Sequence, residues 1–239
     1  MNPELHTRVL DRATAPYFDT GRFNRYWSRG KLGRDPIFAA LLTRGMFHDA
    51  ARILDLGCGR GLLAAWLYAA EQIADEGTWP ADLPAPPRHV HFRGIELMGA
   101  EADCGNHALT IFNRDARLAQ GDVRDVALGN PDVIAMLDVL HYIDIPAQDA
   151  LLDRIRAALP PGGLFLTRVG DAAGGLPFRF SQLVDHCMAF AQGHGVARMW
   201  CRPLQAWVDA LSARGFQVST LPMSEGTPFA NVMIEARLP

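Results

Sequence analysis

The stretch Arg52-Ile53-Leu54-Asp55-Leu56-Gly57-Cys58-Gly59-Arg60-Gly61-Leu62-Leu63 runs from a short, mostly apolar strand through three alternating glycines into an apolar helix. Strand, tight turn and helix must meet here within a few residues. Glycine permits both the turn and a close approach of backbone to a ligand. A dinucleotide fingerprint G-x-G-x-x-G counted from Gly57 would need glycine at position 62, where Leu62 stands. The pattern is instead G-x-G-x-G, with Asp55 two positions ahead of it. Leu62, Leu63, Trp66 and Leu67 give the following helix, expected over 61–70, its apolar face.

Downstream, strand and helix signals continue to alternate. The run from Trp79 to Pro87 holds too many prolines for helix or central strand and reads as a surface loop. A second strand is expected over 90–97, a helix over about 100–112, a third strand over 116–120 and a fourth over 132–137. A helix over about 147–159 stops at Pro160-Pro161-Gly162-Gly163, a strong terminator, before a fifth strand over 164–169. Residues 170–201 read as a mixed insert with a central helix. A helix over 203–214, closed by Gly215, then leads to strands over 216–221 and 230–238. Strands separated by helices imply a parallel sheet covered on both faces. The last two strands have no helix between them, so the seventh is expected to return antiparallel. The fold class is α/β, a three-layer sandwich around a mostly parallel seven-stranded sheet.

Upstream of the loop, Phe23, Tyr26 and Trp27 fall at helical spacing, and Gly30 and Gly33 read as interruptions. Asp35-Pro36 suits the start of a second helix, with Asp as N-cap and Pro in the first turn. Ile37, Phe38, Leu41 and Leu42 supply its apolar face. The expected organisation is an N-terminal helical lid over 1–48 and a core over 49–239. An acceptor-side helical insert is expected at about 170–202.

The glycine loop does not stand alone. Strand two ends at Gly94-Ile95-Glu96-Leu97, which puts a carboxylate at the carboxyl edge of the sheet, where it can accept from both hydroxyls of a ribose. Gln120-Gly121-Asp122-Val123 ends strand three, and Leu137-Asp138-Val139-Leu140-His141-Tyr142 ends strand four. Together with Asp55-Leu56-Gly57-Cys58-Gly59-Arg60-Gly61 and the Pro-Pro-Gly-Gly turn, these stretches resemble the class I, Rossmann-like S-adenosylmethionine-dependent methyltransferases, in their small-molecule branch. The likeness covers roughly 51–169 and, more loosely, the last two strands. It departs from the family in the spacing from loop to Glu96, which the Pro-rich segment lengthens. The resemblance implies S-adenosyl-L-methionine as cofactor, S-adenosyl-L-homocysteine as its product, and no metal. It also implies cofactor contacts from Asp55, Gly57, Cys58, Gly59, Gly61, Glu96, Leu97 and Asp138. The adenine is expected against Asp122, as acceptor of its exocyclic amine, and the backbone N–H of Val123.

Methyl transfer is an in-line displacement at a sulfonium whose thioether leaves neutral, so positioning can supply much of the catalysis. A base is needed only where the acceptor must lose a proton, and His141 is placed to act as one; packing beneath the cofactor is its other reading. Tyr142, the N-terminal set Tyr26, Trp27, Lys31 and Arg34, and Arg179 in the insert are candidate acceptor contacts. Arginine pairs with carboxylates and stacks on rings, which suits a flat or acidic acceptor. Any one of these residues also fits an ordinary amphipathic helix face. His89 and His91 alternate on a strand without a nearby third ligand and read as plain strand residues rather than a metal site.

Composition bounds the alternatives. The chain has 239 residues and a formal net charge of -3, and it shows no concentrated basic patch of the kind nucleic acid requires. No apolar run approaches the roughly 20 residues of a membrane span. The N-terminus lacks a secretory pattern, and four cysteines without paired spacing suit a reducing compartment, so the expected location is cytoplasmic. The general style of the sequence also resembles methyltransferases encoded beside bacterial aryl-polyene biosynthesis genes. That likeness implies an aromatic or polyene acyl acceptor, delivered on a carrier protein, while the leading reading of the whole sequence is O-methylation of an aromatic or acidic small molecule. A non-catalytic cofactor-binding or scaffold subunit is the second reading of the same residues. Oligomeric state is not legible.

Overall fold

The computed structural model describes residues 1–173, 199–223 and 230–239. Helices α1 (Pro3–Thr14), α2 (Arg22–Arg34) and α3 (Pro36–Thr43) precede β1 (Arg52–Leu56) and α4 (Leu62–Asp75). Then come β2 (His91–Glu96), α5 (Gly99–Leu109), β3 (Ala116–Gln120), β4 (Val133–Leu137), α6 (Ile145–Ala158) and β5 (Leu164–Gly170). Helix α7 (Leu204–Ser212), β6 (Gln217–Pro222) and β7 (Asn231–Arg237) close the described chain. The strands form a seven-stranded sheet in the order β3-β2-β1-β4-β5-β7-β6. Only β7 runs antiparallel, against both β5 and β6. This is the Rossmann-like methyltransferase sheet that the strand pattern predicts.

The chain divides into two compact units, Met1–Val126 and Ala127–Pro239. In the first, α4 is buried on every side along Leu62–Glu71, as a helix apolar all round must be. Leu5, Val9, Leu10 and Ala13 of α1 are buried, and α1 packs against α4. The Trp66 indole of α4 donates to the Phe38 carbonyl at 2.8 Å, tying α3 to the same core. Glu71 is buried and answered by the Arg114 guanidinium at 2.9 Å and the His89 amide at 2.9 Å.

The N-terminal segment differs from the expectation in two respects. Helix α1 was not foreseen, although Asn2 and Pro3 mark its start: the Asn2 side chain accepts from the Leu5 amide, and Pro3 sits in the first turn. Gly30 and Gly33 do not interrupt a helix; both lie inside α2. Gly33 stands where α2 meets α1, and a Cβ there would come within 3.0 Å of Leu10. Its small size serves helix packing rather than a break.

In the second unit β4 pairs parallel with β5, and β5 pairs antiparallel with β7. Helix α6 begins two residues earlier than expected because Asp144 caps it, its carboxylate accepting from the Ala147 amide at 2.9 Å. Trp207 and Leu211 of α7 are buried. The expected helix of the insert, and Arg179 with it, falls in 174–198, outside the described residues.

Candidate cofactor site

Strand β1 delivers the chain into the glycine loop, and positive backbone torsions shape it. Gly57, Gly59 and Gly61 have φ of 78°, 51° and 72°, the left-handed region that a side chain resists. The Gly57 and Cys58 amides both donate to the Ile95 carbonyl of β2, at 2.8 and 3.1 Å, and the Gly61 amide closes the turn onto the Cys58 carbonyl at 2.9 Å. Gly94 lets β2 come this near, since a Cβ there would lie 2.5 Å from the Cys58 sulfur.

Glu96 ends β2 beside the loop, half-buried, and its two oxygens hold two backbone amides. Oε2 accepts from Gly59 at 2.9 Å and Oε1 from Met98 at 3.0 Å. One carboxylate thus bridges the loop and the residue that precedes α5. An ionised carboxylate has about four acceptor positions, so capacity remains for a ligand. Leu97, between these amides, is exposed. Asp55 is buried one residue before the end of β1. Burial first, and then the negative Glu96, push its carboxyl up to about 7. The Cys58 thiol is raised well above its usual range, again by burial first and then by Asp55 and Glu96, so it remains neutral.

Asp122 follows β3, where the Gly121 amide donates to the Glu96 carbonyl at 2.9 Å. Its carboxylate accepts from the Arg124 amide at 2.9 Å and from the Arg124 guanidinium on both oxygens. Those hydrogen bonds hold its pKa below the ordinary carboxylate value. Val123 beside it is buried. The acidic side chain is therefore ionised and ordered by an Asx-type turn.

The candidates of the second unit cluster at the end of β4. Asp138 has a φ of 60°, in the left-handed region, and its carboxylate forms a two-pronged pair with the buried Arg168 of β5. His141 and Tyr142 lie in a short 3-10 turn with ring centroids 4.1 Å apart, and Tyr142 is 44% exposed. The Trp200 amide donates to the His141 carbonyl at 2.8 Å. Gln148 was missed by sequence reasoning. It is buried in α6 and its amide nitrogen donates to the carbonyls of Leu140, Ile143 and Trp200, holding the segment around His141 in place.

Of the N-terminal candidates, Trp27 faces the Arg60 guanidinium at 4.9 Å. Lys31 pairs with Asp35 at 2.9 Å, across the corner into α3. Tyr26 and Arg34 are exposed. Arg60 itself was passed over, because a residue between two loop glycines carries no periodic signal.

An open α/β sheet, a glycine loop feeding a helix, and a carboxylate closing that loop from the next strand define a Rossmann-like nucleotide-binding class. Within it, the chain belongs to the S-adenosylmethionine-dependent methyltransferases: the family described as "Methyltransferase domain" matches residues 25–221. Among curated proteins, the tetracenomycin polyketide synthesis 8-O-methyl transferase TcmO of Streptomyces glaucescens is 31% identical over 121 residues, which is 49% of this chain and 30% of that protein. The carboxy-S-adenosyl-L-methionine synthase of Vibrio cholerae is 25% identical over 128 residues, covering 53% of this chain and 46% of that one. The aligned stretches thus span less than half the length of these relatives. Among solved structures, the magnesium protoporphyrin IX methyltransferase of Synechocystis with bound SAH shares the fold at a TM-score of 0.58 and 14% identity, covering 99% of this chain and 100% of its own.

Proposed function

We propose that this chain binds S-adenosyl-L-methionine at the glycine loop and transfers its methyl group to a small-molecule acceptor. The observation that carries the reading is the Glu96 carboxylate, bound to the Gly59 and Met98 amides at the carboxyl end of β2. It holds the loop open around three left-handed glycines and keeps acceptor capacity for a ribose diol. Asp122 and the Val123 backbone N–H are assigned to the adenine. Asp55, Gly57, Cys58, Gly61, Leu97 and Asp138 are assigned to the rest of the cofactor. When bound, the cofactor supplies a methyl group on a sulfonium. The protein's part is to hold acceptor and methyl carbon in line and to exclude water.

The acceptor assigned is an aromatic or acidic metabolite methylated on oxygen. Support comes from α2, whose exposed side chains are aromatic and basic and which contains no acid. The similarity to an enzyme named for 8-O-methyl transfer in polyketide synthesis points the same way. His141 takes the acceptor proton, beside Tyr142, where deprotonation is needed. Delivery on a carrier protein, suggested by the resemblance to aryl-polyene-associated enzymes, belongs to this reading too. Within 1–48, the lid role falls to α2, because α1 is part of the buried core.

Calorimetric titration with S-adenosylmethionine, S-adenosylhomocysteine and NAD tests the cofactor assignment, with binding of both sulfur nucleosides and none of NAD expected. Tight NAD binding with no response to either sulfur nucleoside would sink it. Methyl-labelled cofactor incubated with small-molecule extracts tests turnover, and labelled acceptor is expected in the organic phase. Cofactor binding without any transfer would favour the scaffold reading.

A further inference from the structure

Arg60 stands between Gly59 and Gly61 and is only 9% exposed. Its guanidinium pairs with Glu101 in the first turn of α5, Nε to Oε2 at 2.6 Å and Nη2 to Oε1 at 2.8 Å. The same guanidinium carbon lies 4.9 Å from the Trp27 ring and 5.4 Å from the Phe23 ring, both on α2. Nε and Nη1 are buried without a hydrogen-bond partner among the described residues, so the ion pair with Glu101 and the two ring faces answer the charge. The backbone of Arg60 is held as well. Its carbonyl accepts from the hydroxyl of the fully buried Tyr17, in the turn just before α2, at 2.7 Å. Gly105 of α5 comes so near that a Cβ there would lie 2.7 Å from the Arg60 carbonyl group.

The first half of α2 contributes no fully buried side chain. It starts at Gly21, whose φ is 120° and which provides no side-chain cap, and its buried residues, Ser28 and Leu32, lie in the second half. Phe23 is 68% and Tyr26 62% exposed. Asn24 also donates to the Thr20 carbonyl at 2.7 Å and to the Cys104 sulfur of α5 at 3.3 Å, and the Arg25 guanidinium lies 3.5 Å from the Phe18 ring. The position of the Arg60 side chain follows from the backbone of the glycine loop. A ligand that fixes that backbone also fixes the cation on which Phe23 and Trp27 rest.

We propose that Arg60 is a positioning residue that couples occupancy of the glycine loop to the placement of the first half of α2, and so orders the acceptor side after the cofactor is bound. The inference rests on the cofactor reading above. A planar guanidinium stacked on rings and paired with a carboxylate suits this task, and lysine would keep the charge but lose the stacking.

Hydrogen exchange of residues 22–27, with and without S-adenosylhomocysteine, is the test, run beside calorimetry on the full chain. In the native protein the nucleoside is expected to bind and to slow exchange in 22–27 by about 5-fold or more. Arg60→Met, which keeps the aliphatic stem, is expected to retain binding within about 10-fold while that response disappears, and Arg60→Lys to restore only part of it. Trp27→Leu leaves the loop intact and is expected to abolish the response as well, so the proposal stays testable should Arg60→Met fail to fold. An undiminished response in Arg60→Met or Trp27→Leu, or native binding that leaves 22–27 unaffected, overturns the coupling alone. Failure of the native protein to bind the nucleoside overturns the cofactor reading and the coupling together.

Discussion

The Glu96 carboxylate serves structure and recognition with the same atoms, and that sets what its removal should do. Glu96→Ala strands the Gly59 and Met98 amides and removes the assigned ribose acceptor. The expected loss of S-adenosylhomocysteine affinity is about 1.5–3 kcal/mol by calorimetry, with about 1 kcal/mol of stability lost in urea melts. Unchanged affinity would remove Glu96 from the site. Asp55 makes a prediction of opposite character. Its carboxyl, raised to about 7 by burial and then by Glu96, stays protonated in the folded chain at pH values where the unfolded chain has already released the proton. The folded state binds more protons between about pH 4 and 7, so the contribution of Asp55 is full below that window and is lost as pH rises through it. Asp55→Asn should therefore flatten the decline, leaving the variant more stable than the parent at pH 8 by on the order of 1–3 kcal/mol relative to their difference at pH 4. Parallel pH profiles for the two proteins would show that Asp55 does not carry the effect.

At the scale of elements, the glycine loop is framed by contacts that leave no room for a methyl group. Gly105 brings α5 against the Arg60 carbonyl group, and Gly61 brings the start of α4 within 2.9 Å of Leu109 for a notional Cβ. Backbone atoms cannot rotate away as the end of a side chain can. Gly105→Ala should therefore destabilise the protein by about 1–3 kcal/mol in denaturant titration, despite the better helix propensity of alanine. A stabilised variant would mean that α5 does not sit on the loop as described. Helix α6 shows the opposite case, an element set by its own sequence. Asp144 caps it locally, and Gln148 then reaches three carbonyls that come together only in the folded unit.

Over the whole chain, the N-terminal helices divide between two tasks. Helix α1 covers α4, whose length from Leu62 to Glu71 is buried, while the exposed face of α2 carries Phe23 and Tyr26. Deleting residues 1–34 should uncover that apolar helix and yield aggregated or unfolded protein, seen as loss of near-ultraviolet circular dichroism and a void-volume peak on gel filtration. Replacing Tyr26 and Arg34 together should instead leave the melting temperature within a few degrees of the parent and lower methyl transfer once an acceptor is in hand. A truncated chain that folds and methylates normally would remove both roles.

Much of this was legible from residues one at a time. The span of β1, the left-handed loop marked by alternating glycines, the carboxylate ending β2 and the unseparated last strand pair all follow from local rules of periodicity and backbone freedom. The cap of α1 at Asn2-Pro3 was equally local, and its signal was in the sequence to be read. What only the tertiary structure decided is how distant residues meet. Gly30 and Gly33 look like helix breakers in isolation, yet both lie inside α2, and at Gly33 packing against Leu10 of α1 offsets the roughly 1 kcal/mol that a helical glycine costs. The Asp138–Arg168 pair, the Gln148 carbonyl cluster and the Arg60 contacts with Tyr17, Trp27 and Glu101 join residues far apart in the chain. Periodicity reports which face of an element is apolar, whereas the partner of a buried charge is set by the path of the whole backbone.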